Sequence, residues 1–263
     1  MTTPASTPPS ATNGTDAAPR LGGVRARARA QFMADLLAVG RARLDSDGPA
    51  GLSLRAVARE LGVSSSAVYR YVDSRDALLT ALIIEAYDEV GAECERAMGE
   101  ALADDGDPGR AWLAVGHAFR TWALAHRSSF ELIYGTPIRG YAAPRDTVTA
   151  AARLWLVIET VLLTARDRGL LDGTGPDFDA DGLMGAEVMD FAREFVAAAG
   201  SSGGEPPSER EVARSVTLWV SLVGAVSAEV FGHLHRMTTD FGRLFEVTLA
   251  TAAAGVGLRV ELD

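Results

Sequence analysis

The stretch at residues 51–75, GLSLRAVARELGVSSSAVYRYVDSR, has the pattern of two short helices joined by a tight turn. Four apolar residues recur at the i, i+3, i+4 and i+7 spacing of one helix face: Leu54, Val57, Ala58 and Leu61. Gly62 can adopt the positive φ that ends a helix, and Ser64 suits the N-cap of the next one. The stretch therefore predicts a helix-turn-helix.

The second helix of this pair has apolar residues on one side only. Val68 and Val72 are four apart and can pack on the first helix. The alternative is an ordinary helical hairpin with its aromatic residues in a core, but the consecutive residues 69–71, Tyr-Arg-Tyr, cannot all face inward. A helix that opens with small hydroxyl residues and carries this exposed set suits the major groove of DNA.

The longer segment at residues 48–79, GPAGLSLRAVARELGVSSSAVYRYVDSRDALL, resembles the DNA-binding region of the TetR/AcrR (tetracycline-repressor-like) family of bacterial transcription regulators nearly residue for residue. The resemblance implies an all-α fold, with a three-helix N-terminal helix-turn-helix head and a larger helical-bundle C-terminal domain for effector binding and dimerisation. It implies a homodimer that binds a palindromic operator in double-stranded DNA and is released by a small-molecule effector. Repression is the usual mode of this family.

Positions within the matched motif imply where DNA is contacted. Arg55 and residues 65–67 are expected to read bases, whereas Tyr69, Tyr71 and Arg75 are expected to hold phosphates. The full set of expected DNA contacts is Ser53, Arg55, Ser65, Ser66, Ala67, Tyr69, Arg70, Tyr71 and Arg75. Arg75 also opposes the dipole of its helix, which a phosphate partner would explain, although a tolerated surface arginine remains the alternative.

The chain divides into three parts. Residues 1–20 are rich in Thr, Ser, Pro and Ala without apolar periodicity, which predicts a disordered tail. Residues 21–73 form the predicted DNA-binding domain, with a first helix at 22–44 and a loop at 45–49. Residues 74–263 form the predicted effector-binding and dimerisation domain, which begins with a long helix from the N-cap Ser74 to about Met98. This helix is expected to be the only connection between effector site and head.

Charge is distributed unevenly along the chain. The net charge is -10, yet residues 20–75 contain ten arginines and five acids, a local charge of +5 that leaves -15 for the rest. The same arginines include the alternating Arg25, Arg27 and Arg29, which either contact DNA or form a solvated basic face. A basic DNA-binding domain (residues 21–73, the head) on an acidic C-terminal domain (residues 74–263, the body) would steer the head toward a polyanion.

Composition and motif searches exclude several function classes. The chain has no lysine and a single cysteine, Cys94, so it offers no Schiff-base lysine, Walker lysine, disulfide or cysteine cluster. No catalytic or metal-binding motif is present, which predicts that the protein is not an enzyme and needs no metal or cofactor. No leader-like segment follows the N-terminus, and the longest apolar run, 154–163, is too short to span a bilayer. A cytoplasmic protein without membrane contact is expected.

The predicted body has more large aromatic residues on inward faces than helix packing requires. Glu159 lies in the apolar run LWLVIETVLL and needs an arginine, a helix edge, a water-filled cavity or a ligand group. The hypothesis is a small, largely apolar effector in a pocket lined by some of Trp122, Tyr134, Trp155, Glu159, Met184 and Phe191.

The last two predicted helices, at 208–234 and 240–258, have long apolar faces that suit a dimer interface or an intramolecular core. Residues 112–135 and 218–232 also resemble the C-terminal domain of one branch of the family, named for a Trp-His-Gly signature. Trp219 and Gly224 match that signature, but Val223 occupies the histidine place, so the resemblance implies the fold and no histidine role. A DNA-bound structural or division-linked adaptor with a protein-binding body is the alternative function.

Overall fold

A computed structural model describes residues 21–103, 106–172, 175–199 and 206–262, so the predicted tail lies outside the described residues. The N-terminal helices are α1 (Leu21–Gly51), α2 (Leu54–Glu60) and α3 (Ser65–Val68), followed by the long α4 (Arg75–Leu102). The remaining helices are α5 (Pro108–Ala125), α6 (Arg127–Tyr134), α7 (Thr147–Asp167), α8 (Ala186–Ala199), α9 (Glu209–Val230) and α10 (Phe241–Gly255). Within these residues the only strand-like pairing is an isolated bridge between Leu171 and Leu258. The predicted all-α fold is confirmed.

Helix α1 continues further than its sequence suggests. The predicted loop at 45–49 is wrong for residues 45–47, which remain helical, and Arg43 pairs with Asp47 one turn later at 2.8 Å. Helical geometry breaks at Gly48, whose φ of 65° lies in the left-handed region. Pro49 then turns the chain toward α2.

The helix-turn-helix forms as its sequence indicates. Gly62 has a φ of 68°, and the Ser64 hydroxyl accepts a hydrogen bond from the Ala67 amide at 3.3 Å. Val68 and Val72 are 0% and 3% exposed, so both pack inward as predicted. Only residues 65–68 are α-helical, and residues 69–71 continue as a turn.

Helix α4 belongs to both halves of the molecule. The Ser74 hydroxyl accepts a hydrogen bond from the Ala77 amide at 3.0 Å, which confirms the predicted N-cap. Leu78, Leu79 and Leu82 complete the apolar cluster of the head, whereas Val90 and Cys94 belong to the large cluster of the body. The head therefore takes part of its core from the connecting helix.

The body is a bundle with a wide aromatic core. Trp112 on α5 is fully buried, and its indole N–H donates to the carbonyl of Leu249 on α10 at 3.0 Å. Helices α7 and α9 are long and apolar enough to cross a membrane by length and composition alone. In this fold they are bundle helices, and half of the apolar window of α7 is buried.

A second connection joins head and body besides α4. Leu132 on α6, with Ile138 and Tyr141 in the following loop, packs against the apolar cluster of the head. The hydroxyls of Tyr141 and Thr80 lie 2.9 Å apart. The expectation that α4 is the only connection between effector site and head is therefore wrong. The sequence did not reveal the second connection, because a loop without apolar periodicity gives no sign of where it packs.

Candidate DNA-binding and effector sites

The outer face of the helix-turn-helix consists of residues from α2, α3 and the turn after α3. Tyr69 is 49% exposed, although its ring is large and apolar, and Arg70 and Ser66 are also exposed. Ser65 and Ala67 are half-buried at the start of α3, where small side chains keep the backbone close to the surface. This face can bring a helix N-terminus and two long polar side chains to a nucleic-acid groove.

Helix α2 contributes two further predicted contacts. Arg55 is exposed, and Ser53 is half-buried just before the helix, where its hydroxyl makes no capping hydrogen bond. Ser53 therefore keeps its side chain available to another partner, and Arg55 can reach beyond the surface of α2.

Tyr71 differs from Tyr69 in its surroundings. Its ring is half-buried, with its centroid 4.4 Å from that of Phe32, and the Arg29 guanidinium carbon lies 5.3 Å from the same ring. Tyr71 thus packs against α1 and supports Arg29 by a cation–π contact. Sequence reasoning placed Tyr71 on the phosphate-binding face and missed this packing, which depends on how α1 crosses the head.

Arg75 has a partner inside the protein. Its guanidinium donates to the Pro49 carbonyl at 2.7 Å and lies 3.4 Å from the carboxylate of Asp76. The first contact ties the turn after α1 to the start of α4. This contact explains why an arginine is tolerated at a helix N-terminus without a bound phosphate. The Arg75 side chain is half-buried and still reaches the surface.

The arginines of the head fall into two groups. Arg41 pairs with Glu85 and with Glu89, and Arg43 pairs with Asp47 and with Glu60, so these two bind the head together. The second group is exposed and forms no ion pair within the described part of the chain: Arg25, Arg27, Arg55, Arg59 and Arg70. Unpaired positive charge thus remains on α1 near its start and on the helix-turn-helix.

The six residues expected to line one effector pocket occupy separate environments. Trp155 donates its indole N–H to the Ser215 hydroxyl at 2.9 Å and stacks on Phe191 at 5.9 Å, with Met184 packed nearby. Tyr134 contacts the rings of Phe119 and Phe130 in the main core. These rings fill the space between helices, and Tyr134, Trp155, Met184 and Phe191 line none of the three cavities described next.

The other two predicted residues line different cavities. Trp122 borders an open groove of about 700 Å³ between α4 and α5, where it stacks on His126. Glu159 borders a cavity of about 60 Å³ between α7 and α9, together with Arg166 and Arg214. A third cavity, of about 300 Å³, lies between α4, α6, the following loop and α7.

Glu159 is buried, with 7% of its surface exposed, and one of its carboxylate oxygens has no hydrogen-bond partner. Burial raises the pKa of Glu159 to about 7, against smaller lowering effects of the Ser215 hydroxyl and Arg166. The predicted alternatives of exposure at a helix edge or a close arginine pair do not describe it. Its carboxyl instead faces a small cavity lined by both charged and apolar side chains.

The geometry of the head defines a class of protein: a helix-turn-helix DNA-binding transcription regulator. Residues 36–82 match the bacterial regulatory proteins of the tetR family, and residues 112–252 match the tetracyclin repressor-like C-terminal domain. The chain therefore belongs to the TetR family of transcription regulators, and the resemblance predicted from residues 48–79 is confirmed.

Relatives and solved structures agree with this assignment. The HTH-type transcriptional regulator Rv1816 of Mycobacterium tuberculosis is 37% identical over 233 residues, which cover 85% of this chain and 92% of the relative. The regulator Mb1846 of Mycobacterium bovis matches equally. The crystal structure of the regulatory protein SCO4313 is 30% identical, with a TM-score of 0.65, and the match covers 88% of this chain and 98% of that one. PfmR from Thermus thermophilus, a TetR-family regulator, shares the fold at 14% identity and a TM-score of 0.50, over 84% of this chain and 96% of that one.

Proposed function

We propose that this transcription regulator is a repressor that binds a palindromic operator in the cytoplasm as a homodimer and is released by a small effector. The observation that carries the proposal is the unpaired positive charge around α2 and α3, next to exposed Tyr69. Exposed arginines with no internal partner can neutralise phosphates without first breaking an ion pair. Arg41 and Arg43 would each have to break an ion pair before binding a phosphate.

Within this proposal the residues of the head divide into base readers and phosphate binders. Arg55 and residues 65–67 read base edges, whereas Tyr69, Arg70 and Tyr71 hold the backbone, with Ser53 beside them. Arg75 acts partly through its bond to the Pro49 carbonyl, which fixes the turn between α1 and α2. A phosphate would add a further partner to its half-buried side chain, besides Pro49 and Asp76.

The test begins by selecting duplexes from a random library with the purified full chain, which yields the operator sequence. Affinity for that operator and for a scrambled duplex is then measured for the parent and two variants. Arg55→Ala should lose about 1–3 kcal/mol on the operator and much less on the scrambled duplex, because it removes base contacts. Tyr69→Phe should weaken both duplexes alike. If Arg55→Ala loses the same affinity for both duplexes, Arg55 does not read bases.

Dimerisation is proposed through α9 and α10. Only a third of the apolar window of α9 is buried within the chain, and Val220 on α9 is 54% exposed. Leu244 and Val247 on α10 are also exposed, and a side chain added at Gly224 would meet open space. Two apolar helices with small exposed residues support a four-helix interface with a second copy.

Light scattering of the full chain tests the interface. Val220→Glu should convert dimer to monomer and reduce operator affinity, because one head reads only half of an inverted repeat. Val148→Glu is the matched control, since Val148 is 57% exposed on α7, away from the proposed interface. A parent that is monomeric at micromolar concentration with full operator affinity would refute the dimer.

A regulated repressor is favoured over a DNA-bound adaptor by the cavities of the body. A protein-binding adaptor needs an exposed apolar patch and no internal space, whereas a cavity of about 300 Å³ reaches the lower limit for small-molecule sites. If operator affinity stays unchanged in the presence of every tested small molecule, the adaptor function is supported instead.

A further inference from the structure

We infer that the effector site is the cavity at the junction of head and body, and that it takes an uncharged, largely apolar small molecule. The inference rests on the proposed function and names the site and ligand class for it. The cavity has a volume of about 300 Å³ and lies between α4, α6, the loop after α6 and the first turns of α7. It is hereafter called the junction cavity.

The chemistry of its walls selects the ligand class. Among the described residues no charged side chain lines the junction cavity, and its larger walls are aliphatic or aromatic: Ile83, Tyr87, Leu132, Ile133, Ile138 and Tyr141. A charged ligand would lose its hydration there without gaining an opposite charge, which is costly. An uncharged molecule with an apolar body avoids this cost.

Three of the four side-chain hydroxyls that line the junction cavity already have partners. The Tyr87 hydroxyl donates to the Ile133 carbonyl at 3.2 Å, and the Thr147 hydroxyl donates to the Pro144 carbonyl at 2.8 Å. The Tyr141 hydroxyl lies 2.9 Å from that of Thr80. Hydroxyl oxygens can still accept a further hydrogen bond, so a ligand hydroxyl is tolerated and not required.

The position of the cavity supplies a way to act on DNA. Its walls include both connections between head and body, namely α4 through Ile83 and the α6 region through Leu132, Ile138 and Tyr141. A molecule between these walls favours arrangements in which α4 and α6 are held apart by its width. The head follows, because Leu132, Ile138 and Tyr141 pack directly on its apolar cluster.

The groove at Trp122 and the cavity at Glu159 fit this role less well. The groove of about 700 Å³ is open and lined by the acids Glu89, Glu93 and Glu100, and its walls on α4 and α5 include none of the apolar residues that pack on the apolar cluster of the head. The cavity at Glu159 holds about 60 Å³, enough for about two water molecules and too little for a typical effector.

The experiment uses 1-naphthol as an uncharged probe and 1-naphthoate as its charged counterpart. With the full chain and its selected operator, 1-naphthol should raise the melting temperature and lower operator affinity about 5- to 150-fold at saturation, the usual range of allosteric coupling. 1-Naphthoate at the same concentration should do neither, because its carboxylate finds no partner in the junction cavity.

Two variants locate the response. Ala151→Phe fills the cavity from α7, and Ala143→Leu fills it from the loop, where helix packing is not disturbed. Both should bind the operator and lose the response to 1-naphthol. Val148→Phe is the control, because it adds an aromatic ring at an exposed position of the same helix and should keep the response.

Three results would overturn the inference while leaving the repressor itself intact. They are no response of the operator-binding parent to 1-naphthol up to its solubility limit, an equal response to 1-naphthoate, or an unchanged response in a folded Ala143→Leu variant. A parent that selects no duplex from a random library contradicts the proposed function instead. Whether the parent selects an operator therefore distinguishes a failure of the inference from a failure of the proposed function.

Discussion

The exposed arginines of the helix-turn-helix differ from the ion-paired arginines that join helices of the body. In the body, Arg120 on α5 makes two hydrogen bonds of 2.6 Å to Glu229 on α9, and Arg153 on α7 binds Glu95 and Asp88 on α4. In the head, exposed arginines on α2 and after α3 form no ion pair within the described residues. An arginine that faces an acid is held within the fold, whereas the exposed arginines of the helix-turn-helix make no such pair within the described residues and are the proposed DNA contacts.

Glu159 is the reverse case, a buried acid in the body that makes no close ion pair with any described residue, and it gives the largest expected effect. Burial raises the pKa of Glu159 to about 7. Between the ordinary pKa of a glutamate and about pH 7, the folded state therefore holds a proton that the unfolded chain has released. The resulting stability is complete at acid pH and is lost as pH rises through about 7. Relative to Glu159→Gln, the parent should lose up to roughly 3 kcal/mol of unfolding free energy between pH 5 and 8.

Urea unfolding of the two proteins at a series of pH values measures this difference. Subtracting the Gln variant removes the titration of groups that both proteins share. Parallel stability curves for parent and variant would mean that the carboxyl of Glu159 is solvated or paired in solution, contrary to its burial here.

The ion pair of Arg120 and Glu229 gives the next largest effect. Glu229→Gln removes the negative charge and one of the two hydrogen bonds to a guanidinium that is 22% exposed. The loss of unfolding free energy should be about 1.5–3 kcal/mol. Arg55→Ala in the head should change stability by less than about 0.5 kcal/mol, because its side chain is exposed and unpaired. Denaturant titration of both variants compares them, and equal losses would break the distinction between head and body.

Tyr141→Phe gives the smallest expected effect on stability. It removes the hydroxyl that pairs with Thr80 across the junction, while the ring continues to pack on the head. The cost should be about 0.5–1.5 kcal/mol, typical of one partly buried hydrogen bond. Hydrogen exchange should show faster opening at the start of α4 than in the body core. An unchanged exchange rate there would mean that this bond does not hold the head to the body.

The sequence was informative where function depends on local pattern. In the helix-turn-helix, residue type predicted the cap at Ser64, and spacing predicted the buried Val68 and the exposed Tyr69. It failed where the outcome depends on packing between distant segments. Nothing near Tyr71 indicates that α1 brings Phe32 to its ring, and nothing near Tyr141 indicates contact with Thr80.

The effector pocket was harder to predict for the same reason. Aromatic residues on inward faces suggested empty space, but Tyr134 and Trp155 pack against other rings and fill it. Residues that do border the junction cavity, such as Ile138 and Ala143, lie in an irregular loop without a helical face. A cavity is a property of several segments together, so no single stretch of sequence carries its signature.

In the proposed DNA interface, exposed arginines of the head without an ion pair among the described residues, and not the ion-paired arginines of the body, neutralise the phosphate charges. The most direct measurement is the salt dependence of operator affinity for the parent, Arg70→Ala and Arg96→Ala. Arg96 is an exposed arginine of the body that already binds Glu93 and Glu100.

For Arg70→Ala, the slope of log affinity against log salt should become shallower by about one per lost phosphate contact, hence by about two for a dimer. For Arg96→Ala the slope should equal that of the parent. An unchanged slope for Arg70→Ala, or an equal change for Arg96→Ala, would contradict the account.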